Sequence, residues 1–264
     1  MRHNLAQLLR YRGLIQSLVA RELKARYRGS VLGFFWSFVN PLLLLSVYSF
    51  VFENILQNRT KETTPYAVFM FCGLLPWTWL SASLMDASGS LISGGNLIKK
   101  VLFPAEVLPI VSILANMVHF FLGLSILAAF MIGYRHFPDW DELWWLPIIV
   151  LVQLVFSLGL GLMLSALTVH FRDIRDLLSN LLTFWFFATP IIYPYFMDSV
   201  AHYFWLFKLN PFFHLAVSYQ EILFFHGPFG HRASLLYLGI ASVLFFFVGY
   251  WVFDRLRDSF AEAV

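Results

Sequence analysis

The chain has 264 residues, 59% hydrophobic, 19% aromatic and only 12% charged, with a formal net charge of +3. Soluble domains carry about 25% charged residues, so polar surface is too scarce to coat a water-soluble globule, and lipid is the natural solvent. The basic balance does not indicate nucleic acid, because the cations sit between apolar runs where membrane topology places them; the single Cys72 excludes intrachain disulfides and cysteine-based metal sites.

The first predicted element is a helix over residues 4–28. At about 100° per residue, Arg10, Ser17, Arg21, Lys24 and Arg28 share one face, while Leu5, Leu8, Leu9, Ile15, Leu18, Val19 and Leu23 cover most of the rest. Arg12 and Arg26 fall on the apolar side, so the amphipathicity is imperfect. A basic amphipathic helix beside a span lies in the cytoplasmic interface, its cations among anionic headgroups. Charge serving topology alone is the plainer alternative. No cleavable leader precedes the first apolar run, which is expected to be a retained anchor.

Six apolar stretches follow, each long enough to cross about 30 Å of hydrocarbon at about 1.5 Å per residue. They are Val31–Phe52, Tyr66–Met85, Val107–Tyr134, Trp144–Val169, Leu177–Phe196 and Leu235–Phe253. They show no strand-like alternation, so helices are expected. With both termini inside, thirteen basic residues are cytoplasmic and five (Arg59, Lys61, Arg135, Lys208, Arg232) are external. That asymmetry orients the chain. Between the fifth and sixth spans, residues 197–225 are too apolar for a plain loop and are interrupted or flanked by Pro190, Pro194, Pro211 and Pro228. They read as short re-entrant helices, or as a helix pair on the outer surface.

The spans contain no Asp, Glu, Lys or Arg, which ion-coupled transport usually requires. His119, the one imidazole deep in a span, reads as a packing residue. The close carboxylates Asp173 and Asp176 in HFRDIRD are flanked by Arg172 and Arg175, and an i,i+4 ion pair between Arg172 and Asp176 is expected rather than a metal site. No phosphate-binding loop, G-x-S-x-G or H-E-x-x-H occurs, so the chain is read as no enzyme. Ser157, Gly161 and Ser165 recur every four residues and suit close helix packing, either within the chain or between two copies.

Six segments in order carry a resemblance: RELKARYRGSVLGFFWSFVNPLLLLSVYSFVF, GLLPWTWLSASL, NLIKKVLFPAEVLP, LSALTVHFRDIRDLL, TPIIYPYF and LNPFFHLAVSYQEIL. Together they resemble the membrane subunits of type-2 ABC transporters that export O-antigen, capsule or teichoic acid. The resemblance implies an all-α integral membrane protein of the bacterial inner membrane, with both termini cytoplasmic. Residues 1–30 would form the interface helix, 31–254 the six-span domain and 255–264 a cytoplasmic tail. It further implies a homodimer with two separate ATP-binding subunits, which hold the ATP and magnesium, and a cargo of polysaccharide linked to a lipid diphosphate. No cofactor or metal is expected in this chain, and membrane lipids are its remaining partners. Asn96, Leu97, Lys99, Lys100 and Glu106, with Arg21 and Lys24, are expected to couple to the ATPase. Phe35, Phe38, Tyr48, Phe52, Trp185 and Tyr193 are the candidate conduit aromatics, although each taken alone reads more readily as a lipid-facing or packing aromatic. An exporter of a drug or small lipid, and a non-transport component of glycan assembly, are the alternatives.

Overall fold

A computed structural model of the chain describes residues 11–30, 33–51, 63–100, 103–197 and 202–260. Among these the regular elements are all helices, and no strand occurs. In chain order they are α1 (Arg12–Arg26), α2 (Trp36–Ser49), α3 (Tyr66–Ser93), α4 (Gly95–Lys100) and α5 (Val107–Tyr134). After these come α6 (Leu146–His170), α7 (Ile174–Phe187), α8 (Phe204–Phe207), α9 (Pro211–Leu223) and α10 (Arg232–Leu256).

Four helical stretches among the described residues are long and apolar enough to cross a membrane: α3, α5, α6 with the turn before it, and α10 with the turn after it, 28 residues each. α3 is the axis of the fold. Val68, Phe69, Met70, Cys72 and Leu80 have no exposed surface, and α5, α6 and α9 pack around them. α10 packs chiefly on α6 and turns Tyr237, Ile240, Leu244 and Trp251 outward, which suits lipid contact.

The first expected span is helical throughout its described residues 33–51, with α2 as its α-helical part, whereas the fifth ends early. α2 and α7 each have 14 residues, about 21 Å of helix. α7 stops at Phe187 because Pro190 has no N–H to donate and disfavours a helical Thr189. Residues 188–197 continue as irregular turns, so the expected Leu177–Phe196 span is helical only as far as Phe187. α3, by contrast, runs eight residues past its expected end at Met85, so Asp86 lies within the helix.

Asn210 fixes the turn after α8. Its side-chain oxygen accepts from the Phe212 N–H at 3.0 Å and from Trp185 Nε1 at 2.6 Å. Its amide donates to the Ala188 carbonyl at 3.1 Å and to Thr189 Oγ1 at 2.8 Å. One cap residue thus starts α9 and ties down the end of α7.

The small-residue face of α6 packs inside the chain. A Cβ on Gly161 would lie 2.7 Å from Ile113 Cδ1 and 3.2 Å from the Ala87 Cβ, and Ser157 and Ser165 are fully buried. The closest backbone approach uses glycines off that face. A Cβ on Gly249 of α10 would sit only 2.1 Å from the Gly159 carbonyl oxygen of α6.

Candidate conduit and coupling surfaces

α2 and α7 flank α3 and leave a groove of about 560 Å³ between them. Tyr48, Trp77, Phe186 and Phe187 line it together with the hydroxyls of Thr78, Ser81, Ser179 and Thr183. Thr78, Ser81 and Thr183 donate to carbonyls of their own helices, so their oxygens remain available as acceptors. On both sides the groove is bordered by bare apolar helix faces. Leu43 and Val47 on α2 and Phe50 just after it are exposed, the first two lining a second cavity with Phe71, Trp79 and His119, and Leu177, Leu181 and Phe184 are exposed on α7. Each set follows i, i+4, i+7 spacing, the pattern of a helix face that expects a neighbour.

The candidate aromatics divide among several environments. Tyr48 is part-buried and faces the groove. Phe38 packs against the main core, and Phe35 is exposed at the start of α2. Trp185 sits beneath the groove, edge-on to Trp77 with its indole N–H held by Asn210. Tyr193 donates to the Phe187 carbonyl at 2.9 Å beyond the end of α7. Phe52 lies outside the described residues. Phe184 and Phe187, both well exposed, were not singled out by sequence; their signal is the amphipathic spacing along α7.

Towards the C-terminal end of α3, one residue past Met85 of the groove, α1 is docked by a polar latch. Arg26 Nη2 donates to Asp86 Oδ2 at 2.5 Å, and its Nη1 donates to Asn116 Oδ1 at 2.9 Å. Asn116 Nδ2 donates to Asp86 Oδ2 at 2.8 Å. Tyr27 Oη and His119 Nε2 share a hydrogen bond of 2.5 Å, while His119 Nδ1 faces the Ala115 carbonyl. Of the two arginines that spoil the amphipathic pattern of α1, Arg26 is therefore the one that anchors the helix to α3 and α5. Beyond the latch the chain turns through Gly29 (φ 81) and Gly33 (φ 50), left-handed conformations that glycine adopts without strain.

The expected coupling residues cluster on this end. Asn96, Lys99, Arg21 and Lys24 are exposed, and Leu97 lines a cavity with Arg21 and Asn96. Glu106 is buried within the chain. It is 3% exposed and sits 3.5 Å from Arg257 Nη2, joining the start of α5 to the turn after α10. Ile98 packs into the chain's own second core cluster. Lys100 is placed only as the last residue of α4, and Val101 and Leu102 lie outside the described residues. The ion pair expected between Arg172 and Asp176 does not form. α7 begins at Ile174, so Arg172 precedes the helix, and Arg175 lies over Gly89 of α3 instead.

The family model for ABC-2 type transporters matches residues 13–224, which run from α1 through α9. The chain belongs to the ABC-2 type transporter family. Among its relatives is the O-antigen export system permease protein RfbA of Myxococcus xanthus, 40% identical over 260 residues and covering 98% of both chains. The protein of the same name from Klebsiella pneumoniae is 32% identical over 264 residues, covering 99% of this chain and 98% of the relative. The polysialic acid transport protein KpsM of Escherichia coli is 21% identical over 251 residues, 93% of each chain. The latch, the groove and the Asn210 turn all lie within the segment matched by the ABC-2 model, whereas α10 lies beyond it. As an ABC-2 membrane domain with four long apolar helices, the chain is a multi-pass membrane protein.

Proposed function

We propose that this chain is the transmembrane subunit of an ATP-driven exporter that moves a lipid-linked polysaccharide of the O-antigen type across the bacterial inner membrane. The observation that carries this reading is likeness over essentially the whole chain to permeases of O-antigen export systems. The groove between α2 and α7 is chemically suited to the task. Sugar C–H faces pack on aromatic rings such as Tyr48 and Trp77, and hydroxyl acceptors along the wall exchange hydrogen bonds with a sliding chain.

In this reading α2 and α7, extended by their apolar flanks, serve as the first and fifth of six crossings, and both termini are cytoplasmic. The thirteen-to-five distribution of basic residues supports that orientation. A second copy covers the bare faces of α2 and α7 and completes the conduit. Energy enters from a separate ATPase that binds ATP and magnesium and meets Asn96, Lys99, Lys100, Arg21 and Lys24. The sequence has no phosphate loop of its own, which fits an ATPase on another chain.

The test is genetic and chemical together. Cells without this chain should lose surface glycan and accumulate the lipid-linked form inside. Wild-type protein should restore export, and a Tyr48→Ala/Phe52→Ala variant that still dimerises and binds the ATPase should not. Normal surface glycan in cells without the chain would overturn the reading.

A further inference from the structure

A cavity of about 410 Å³ opens between α1, the C-terminal end of α3, α4, the start of α5 and Arg175. At about 30 Å³ per water, it has room for roughly a dozen waters, or for a hydrated phosphate. Four charged side chains face it: Arg21, Arg175, Glu22 and Asp86. The two carboxylates share one cation outside the cavity lining, Arg26. Asp86 is bound to Arg26, and Glu22 lies 3.8 Å from the same guanidinium. Arg21 and Arg175 have no carboxylate partner among the described residues. The hydroxyls of Ser90, Ser93 and Ser112 donate to their own helix carbonyls, so they do not compete for these cations as anions would. The rest of the lining is mixed: Leu18, Leu97, Leu108 and Val111 form an apolar part beside Asn96 and the three serines.

We propose that this cavity binds the phosphoryl headgroup of a membrane lipid. Arg21 on α1 and Arg175 at the start of α7 grip the phosphate oxygens, and the leucine and valine side chains take the first carbons of the tail. Guanidinium is the side chain best matched to phosphate, offering paired donors in a fixed fork. The mixed lining selects a lipid phosphate over a free one, since a free anion gains nothing from the apolar wall. The site joins α1, α3 and α7, so its occupancy bears on how the interface helix sits against the bundle. The inference rests on the chain being an ABC-2 membrane protein and not on which glycan is carried.

The experiment uses the full chain purified in a neutral detergent, with phosphatidic acid and inorganic pyrophosphate as probes. Native mass spectrometry counts retained phosphatidic acid against phosphatidylcholine, and calorimetry reads pyrophosphate. Arg21→Gln and Arg175→Gln should each weaken phosphatidic acid retention on the order of tenfold. The Lys variants should retain part of the binding, and Arg172→Gln, an exposed neighbour outside the cavity, should change nothing. Retention of phosphatidic acid with little or no pyrophosphate binding supports the lipid site. Equal binding of both probes would overturn the lipid assignment in favour of a free-phosphate site. Retention unchanged in the Arg21→Gln/Arg175→Gln variant would overturn the proposal, most directly if that variant instead lost its ATPase. Surface glycan and ATPase co-purification are measured separately, and Arg175→Gln, outside the proposed ATPase contact, separates failure of the lipid site from failure of the export reading.

Discussion

Replacing Asp86 with alanine removes the acceptor at the centre of the latch that holds α1 on α3 and α5. Two hydrogen bonds disappear, from Arg26 at 2.5 Å and from Asn116 at 2.8 Å. Hydrogen bonds to charged groups contribute about 1.5–3 kcal/mol each. The side chains of Arg26 and Asp86 are 26% and 40% exposed, so solvent screening lowers the sum to about 1–3 kcal/mol. Arg26 keeps Asn116 Oδ1 and its looser contact with Glu22, which limits the loss. That range corresponds to about 5- to 150-fold in the equilibrium for releasing α1. Amide exchange over Leu14–Leu23 should therefore accelerate by about that factor, while exchange in the core of α6 stays unchanged. A double-mutant cycle of Arg26→Met with Asp86→Ala should give a coupling of about 1–2 kcal/mol. Unchanged protection of α1 in Asp86→Ala, or a coupling near zero, would show that Asp86 does not hold the helix, leaving that to its Leu14, Ile15 and Leu18 contacts and the hydrogen bonds to Asn116 and His119.

Gly249→Ala should destabilise the bundle by about 2–3 kcal/mol through overpacking, because its new methyl would meet the Gly159 carbonyl oxygen at 2.1 Å. Gly133→Ala on α5 meets nothing within 4 Å and should gain up to about 1 kcal/mol in helix propensity; thermal unfolding in detergent compares the two, and equal melting temperatures would contradict the α6–α10 packing. Near the loop before α10, burial pushes the Glu221 carboxyl upward, but the hydrogen bond and charge of His231 and the N–H groups of His231 and Gly230 outweigh it, leaving the group below its ordinary 4.5. A depressed carboxylate contributes stability that is present above about 4.5 and is lost as pH falls through the folded value. The stability gap between wild type and Glu221→Gln should thus be largest near neutrality and close in acid; a gap independent of pH between 3 and 7 would refute this.

The long helices were legible in the sequence because their cause is local. Each uncharged run must satisfy its own backbone hydrogen bonds in lipid, and a helix does so within the segment. Pro190 stops α7 for an equally local reason, although the expected span Leu177–Phe196 ran through it, and the Asn-Pro pair at 210–211 stands at the start of α9. The basic amphipathic character of α1 is likewise written in its own residues. Partner choice is not. Arg26 looks like a flaw on the wheel, since its acceptors lie 60 and 90 residues away on two other helices. The i,i+4 pair of Arg172 and Asp176 looked sound, but the start of α7 at Ile174 left Arg172 outside the helix and Arg175 facing α3. The stripe of Ser157, Gly161 and Ser165 was equally open to internal and external use. Only the docking of α3 and α5 against it assigned it inward. Glu106, placed by its motif among surface residues, was buried against Arg257 by the packing of the C-terminal turn. Local hydropathy decides which segments become helices in lipid; which faces meet depends on the summed fit of distant side chains, and no segment contains that information by itself.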